Sequence, residues 1–229
     1  MNETTPEAAG EALPVDEALR YLSVRGAAPE SLRAQVERTA RALADELPPR
    51  YVYRAFPIAR TAEGVALEGG GVALTGTLAE AMLQSCDTAV LLCCTLGMEF
   101  ERRLRALERR DMGAAAVLDA CGSAWVEAGC DRAEREIAAR FAPRFLTDRF
   151  SPGYGDLPLS LQPAVLAALD AQRRLGIHLS ESFLMTPSKS VTAVLGVSDE
   201  PQRARIRGCA FCAFRANCEY RKGGTSCAV

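Results

Sequence analysis

The sequence predicts an α+β fold: a twisted, mostly antiparallel sheet with packed helices, followed by a small Cys-rich metal-binding tail. Three observations carry that expectation. Val65-Ala-Leu and Val72-Ala-Leu flank Gly69-Gly-Gly as a hairpin. Thr88-Ala-Val-Leu-Leu-Cys-Cys-Thr-Leu is a continuous apolar run with the profile of a buried central strand. Met112 to Phe141 keeps a helical pattern without a breaker, far longer than any strand. Signals of this kind place helices against one side of the sheet.

Taken in order, the chain divides into a domain at 1–201 and a tail at 202–229. Val15 to Leu22, with Leu19, Tyr21 and Leu22, makes a short amphipathic helix that Gly26 ends. Pro29 opens a second, in which Leu32, Val36, Ala40, Leu43 and Leu47 step by three or four along one face until Pro48-Pro49 stops it. Tyr51 to Phe56 alternates and is rich in β-formers, so it reads as a strand. Leu78 to Gln84 reads as helix. After Gly97 comes a helix dense in Glu and Arg, a solvated face to which no chemistry attaches. Gln162 to Leu175 is expected as one helix begun by Pro163 and closed by Gly176. Ser182 to Met185 and Val191 to Val197 are expected as strands separated by a Pro-Ser-Lys-Ser turn.

Composition excludes several classes. The 229 residues are 48% hydrophobic, and 27 basic residues against 29 acidic give a formal charge of −2, which supports neither nucleic acid nor an anionic membrane as a partner. The acidic start lacks the apolar core of a signal or transit peptide, and no run is long enough for a membrane span, so a cytoplasmic location is expected. No Gly-x-Gly-x-x-Gly follows a strand and no Walker sequence occurs, so nothing supports a Rossmann methyltransferase or an NTPase. The one histidine, His178, sits beside an apolar stretch and reads as structural.

Chemistry gathers at Arg149 to Pro158, Arg-Phe-Ser-Pro-Gly-Tyr-Gly-Asp-Leu-Pro, a stretch that no regular helix or strand tolerates. Pro152 fixes its own φ, while Gly153 and Gly155 permit the positive φ that lets backbone approach a ligand. Arg149 offers a planar fork of donors suited to a carboxylate, and the amides of the turn around Tyr154 can bond a ring edge. The plain alternative is a polar surface turn beside an arginine. Upstream, Glu127 stands in the small-residue middle of the long helix, among Ser123, Cys130 and Asp131. Buried there it needs a cationic partner, such as the ammonium of an amino acid; otherwise it is an exposed helical glutamate.

Arg149-x-x-x-Gly153-Tyr154 resembles the S-adenosylmethionine-binding signature of the activation domain of cobalamin-dependent methionine synthase. Glu181-Ser-Phe-Leu-Met-Thr-Pro-Ser-Lys-Ser-Val is similar to that domain's Glu-Ser-x-x-Met-x-Pro-x-x-Ser-Val segment, and the likeness runs over most of residues 15 to 198, closest to free-standing versions of the domain. The resemblance implies that fold and a role in reductive methylation of cobalamin carried by a partner synthase lacking its own activation domain, or by another corrinoid protein, with flavodoxin or ferredoxin as electron donor. It implies that Arg149 holds the donor's carboxylate, Glu127 its ammonium, and the loop Ser151, Pro152, Gly153, Tyr154 and Gly155 its adenosine portion. Three departures stand out. Gly-Tyr-Pro of the longer relatives is Gly-Tyr-Gly here, their N-terminal donor-binding aspartate has no clear counterpart near Tyr51 to Ile58, and their Tyr-rich segment after the Ser-Val strand is replaced by the cysteine tail.

That tail carries Cys209, Cys212, Cys218 and Cys227, at gaps of two, five and eight residues. Four thiolates within 19 residues make a metal-site pattern for a [4Fe-4S] cluster or zinc, with free or redox-paired thiols as the remaining option. Arg203, Arg205, Arg207, Arg215, Arg221 and Lys222 make it locally basic, fit to offset an anionic cluster or dock an acidic electron carrier. Two rival functions follow from it: an iron-sulfur reductive activator of another corrinoid protein, or a zinc-stabilised docking module without electron transfer. Cys86, Cys93, Cys94, Cys121 and Cys130 are most simply small core residues.

Overall fold

In a computed structural model, residues 12–24, 26–201 and 206 are described, with the backbone of residues 3 and 4. Nine strands and seven helices occur among them, in the order β1 (Glu3–Thr4), α1 (Val15–Tyr21), α2 (Glu30–Glu46), β2 (Arg50–Thr61), β3 (Gly64–Leu67), β4 (Val72–Leu74), α3 (Thr77–Met82), β5 (Thr88–Thr95), α4 (Gly97–Glu108), α5 (Met112–Phe141), β6 (Phe145–Leu146), α6 (Gln162–Leu169), α7 (Ala171–Leu175), β7 (His178–Leu179), β8 (Met185–Thr186) and β9 (Ser190–Ser198). The main sheet runs β4-β3-β2-β5-β9-β6, with β1 added on β2, and every described pairing is antiparallel.

The apolar run of β5 is central, as its composition requires. Leu91 pairs with Arg54 of β2 on one side and Val194 of β9 on the other. Alternation then sends side chains to opposite faces. Tyr51, Tyr53, Val90, Leu92, Cys94 and Leu195 join a core with α1, α2, α4 and α5, whereas Val52, Phe56, Leu91, Cys93 and Val194 join a second with α3, α6 and α7. Helices therefore cover both faces, not one. A strand that is apolar at every position exposes half of its side chains unless both faces are covered.

Close packing of α5 depends on its small residues. A Cβ on Gly129 would lie 2.5 Å from Pro49 Cβ and 2.9 Å from Cys94 Sγ, and one on Gly122 would overlap the Phe100 ring. Trp125 is buried beside them and its indole N–H donates to the Leu47 carbonyl at 2.9 Å, fixing the end of α2. The acidic middle of α4 is not wholly a solvated face: Glu101 is 8% exposed and receives the Ser188 N–H at 3.0 Å and hydroxyl at 2.7 Å.

Two expected elements are broken. The helix after Pro163 stops at Asp170, whose φ of 53° is left-handed and whose carboxylate takes a bond from Arg173 at 2.6 Å, so α6 and α7 are separate. Ser182 to Met185 is a turn held by Phe183 N–H on the Ser180 carbonyl and Leu184 N–H on the Ser180 hydroxyl, with only Met185–Thr186 left to pair with β7. His178 is exposed on β7, paired with Thr186.

Candidate functional site

The loop at 149–158 hangs from the open edge of the sheet. Phe150 N–H donates to the Val194 carbonyl at 3.1 Å, and the Phe150 carbonyl accepts from Val194 N–H at 2.7 Å, so Arg149 leaves the β9 edge in a fixed direction. Gly153 and Gly155 take φ values of 89° and 59°, the conformations their lack of a side chain permits. The far end is tied by Asp156, whose carboxylate accepts Thr77 N–H at 2.6 Å, the Thr77 hydroxyl at 2.7 Å and Leu78 N–H at 3.0 Å. These donors hold the Asp156 carboxyl below its ordinary pKa, the Thr77 hydroxyl foremost.

The loop spends its amides internally. Gly153 N–H bonds the Leu157 carbonyl at 2.8 Å and Tyr154 N–H the Ser151 carbonyl at 3.0 Å. The expectation that this turn leaves its amides open to a ring edge therefore fails at Gly153 and Tyr154, because a turn this tight closes its own hydrogen bonds. What the loop offers a ligand instead is surface. Arg149, Phe150, Ser151 and Tyr154 line a cavity of about 220 Å³ together with Ile206. Pro152 is buried, and Gly153 and Gly155 are exposed and do not line the cavity.

Arg149 and Glu127 are brought into contact. The guanidinium, its side chain only 10% exposed, reaches α5 and donates to Glu127 at 3.1 Å and to Asp131 and Glu134 at 2.6 Å each. Burial works against its charge, but these carboxylates outweigh it and raise the Arg149 pKa. Cys130, its pKa pushed well above the ordinary value by a hydrogen bond with the Cys94 thiol and by burial, is uncharged at neutral pH, so the carboxylates carry the effect. Asp131 and Glu134 were legible as partners: 127, 131 and 134 recur at helical spacing on one face. Beyond them Lys189, in the turn before β9, bonds Asp119 and Ser123 at 2.8 Å each, so the Pro-Ser-Lys-Ser turn is docked on α5 as well as on Glu101.

The arrangement is a small, partly apolar cavity beside one cation and three carboxylates, which suits a ligand with a flat ring at one end and a zwitterion at the other. No protein-family model matches the chain, and no curated protein matches it. Among solved structures, the crystal structure of the MetH reactivation domain bound to AdoHcy aligns with a TM-score of 0.65 at 15% identity, covering 99% of this chain and 87% of that one. This chain has the fold of the MetH reactivation domain. The resemblance in Arg149-x-x-x-Gly153-Tyr154 thus lies within the fold it implied. At this identity the likeness to the MetH domain speaks for architecture.

Cys209, Cys212, Cys218 and Cys227 lie outside the described residues. Among the described residues no group of His, Cys, Asp and Glu is placed to hold a metal ion, and no helix is long and apolar enough to cross a membrane. Cys86, Cys93, Cys94, Cys121 and Cys130 are all buried, as small core residues should be. Burial pushes the Cys86 thiol up to about 11 and the Cys121 thiol to about 12.

Proposed function

We propose that this chain binds S-adenosylmethionine at the Arg149–Gly155 loop and supports reductive methylation of cobalamin on a partner methionine synthase. The observation that carries the reading is the coincidence of three things: a fold shared with a domain that binds AdoHcy, the Arg-x-x-x-Gly-Tyr sequence, and a cavity lined by Arg149, Ser151 and Tyr154. At about 220 Å³ the cavity is smaller than the roughly 300–1,000 Å³ of sites that enclose a whole drug-sized ligand, so it fits one part of the donor. The apolar walls suit the nucleoside. The amino-acid end then reaches the charged cluster, where its carboxylate takes donors from Arg149 and its ammonium takes Glu127.

On this reading the chain's contribution is positional. The donor's methyl departs from sulfur and leaves the bonding pair behind, so no proton has to move and no general base is needed. Cobalamin, carried by the partner, supplies the nucleophile. A one-electron donor of the flavodoxin or ferredoxin type completes the balance, and Cys209, Cys212, Cys218 and Cys227 are the residues that would hold a [4Fe-4S] cluster, which would supply one-electron chemistry. Its cysteine spacing also supports the second reading, in which the tail serves another corrinoid protein, or holds zinc and only docks.

Calorimetry with S-adenosylmethionine tests the first step, with binding expected for the wild type and lost in Arg149→Ala. No binding by the wild type would sink the proposal. Methylcobalamin formation, followed by its visible spectrum with a synthase lacking its activation domain and a chemical reductant, tests the second.

A further inference from the structure

A cleft of about 470 Å³ opens between α3 and the turn that joins β2 to β3, and no residue of the 149–155 loop lines it. Its volume lies within the roughly 300–1,000 Å³ of small-molecule sites. Two of its polar side chains are already spent. The Thr61 hydroxyl donates to the Gly64 carbonyl at 3.1 Å, and the Thr77 hydroxyl donates to Asp156 at 2.7 Å. One cation, one carboxylate and one amide remain on the lining: Arg60, Glu80 and Gln84.

Arg60 is held in place but not neutralised. Its Nη2 donates to the Leu83 and Gln84 carbonyls at 2.8 Å each and to the Cys86 carbonyl at 3.1 Å, just past the end of α3. Carbonyls aim the guanidinium without cancelling its charge, and no carboxylate among the described residues pairs with it. Glu80 stands on α3 about one helical turn before those carbonyls, roughly 5 Å along the axis, close enough for one small molecule to touch both charges. Its carboxylate has no partner among the described residues. Arg149 and Glu127 bond each other, whereas binding between Arg60 and Glu80 breaks no ion pair. A simple anion attracted by Arg60 meets Glu80, and a simple cation attracted by Glu80 meets Arg60. A molecule carrying both charges gains from both. The rest of the wall is apolar, from buried Val65 and exposed Ala81.

We propose that this cleft is a second binding site, for a free α-amino acid with an apolar side chain. Its carboxylate takes Arg60, its ammonium takes Glu80, and its side chain lies against Val65 and Ala81. The inference does not depend on what the 149–155 loop binds.

The test follows the backbone amide signals of the full chain by NMR as L-leucine is added. Saturable shifts are expected at Glu63, Glu80 and Gln84, with a Kd of roughly 1 mM for so few contacts. Isoamylamine, which lacks the carboxylate, and isocaproate, which lacks the ammonium, are each expected to bind about tenfold more weakly, the loss of one charge-assisted hydrogen bond. Arg60 also holds the end of α3, so the variants leave it in place. Glu80→Gln is expected to weaken L-leucine about tenfold. Ala81→Trp, at an exposed position of the wall, is expected to abolish binding while the far-ultraviolet circular dichroism stays that of the wild type. Absence of saturable shifts up to about 10 mM, tenfold above the expected Kd, overturns the proposal, and so do shifts confined to residues 149–155. Wild-type affinity in either variant overturns it as well, as does equal affinity for L-leucine and either analogue.

Discussion

Arg149 and Glu127, assigned by sequence to opposite ends of one ligand, are bonded to each other at 3.1 Å. On the proposed reading, a bound zwitterion would exchange that pair for two of its own, its carboxylate taking the guanidinium and its ammonium the glutamate. Asp131 and Glu134 stay on the other nitrogen and keep the guanidinium aimed. Lysine carries the charge but not the fork. Arg149→Lys is therefore expected to fold and to lose roughly tenfold to a hundredfold in S-adenosylmethionine affinity, the range for a charge-assisted bond of about 1.5–3 kcal/mol. Calorimetry checks this, and affinity within a factor of about two of the wild type contradicts it.

Asp156 makes α3 part of the site, although nothing in α3 lines the cavity. Its carboxylate caps Thr77 and Leu78, and the loop is pinned at both ends, here and at the Phe150–Val194 pairing. Asp156→Ala is expected to speed hydrogen exchange at Gly153 to Leu157 and to lower ligand affinity, with exchange in β5 unchanged. Because the bonds favour the ionised form, Asp156→Asn falls between the two. Uniformly faster exchange across both the loop and β5 would instead mean general destabilisation.

Much of the fold was legible because its signals are local. Pro48-Pro49 ends α2, the hairpin glycines separate β3 from β4, and the apolar run of β5 is central. What was not legible depends on the distant chain. Gln162 to Leu175 carries an unbroken helical pattern, yet Asp170 adopts a left-handed φ that its own periodicity does not announce. β6, β7 and β8 have two residues each, too few to show a period. At the cavity, residue type singles out Arg149 and Glu127, and the helical spacing of 127, 131 and 134 puts Asp131 and Glu134 on the same face. The tie between Ile206 and Asp148 gives no sequence signal, since it is a bond from a backbone N–H to a carboxylate 58 residues away.

A metal proposed for the tail is separable by experiment from the rest of the thiols. Cys86, Cys93, Cys121 and Cys130 are buried with pKa values held up, so they stay protonated and are poor ligands at neutral pH. Protein purified without oxygen is expected to hold iron and sulfide with a broad visible absorbance. Cys209→Ser with Cys212→Ser should remove it, and Cys121→Ser should not. Stoichiometric zinc without iron rules out the electron relay and leaves the docking reading.

Gly122 sets the approach of α4 to α5. Alanine there gains up to about 1 kcal/mol of helix propensity over glycine. Its Cβ would overlap the Phe100 ring, which is fully buried and has nowhere to retreat. Overpacking of this kind costs about 1–3 kcal/mol, so Gly122→Ala is expected to lose about 1–2 kcal/mol net by urea denaturation. Adding Phe100→Leu should make the Gly122→Ala step cheaper, a coupling that a propensity effect alone does not produce.

Glu101 ties α4 to the turn that leads into β9, and its charge makes the tie pH-dependent. Burial pushes its carboxyl up, but the Ser188 N–H, the Ser188 hydroxyl and Arg105 outweigh burial and leave its pKa below the ordinary value. With the folded pKa below the unfolded one, the unfolded chain binds more protons as pH falls. The contribution of Glu101 is thus complete above about pH 4.3, the ordinary glutamate value, and is lost as pH drops through the folded value. Glu101→Gln keeps the shape but not the charge. At pH 7 it is expected to be less stable than the wild type by about 1–2 kcal/mol, in line with hydrogen bonds to a charged group. The two stabilities should converge as pH falls below about 4, since the wild type then protonates the same carboxyl. Denaturant melts at pH 7, 5, 4 and 3 read this directly, and a gap that stays constant over the series would show that the bonds to Ser188 do not depend on the Glu101 charge.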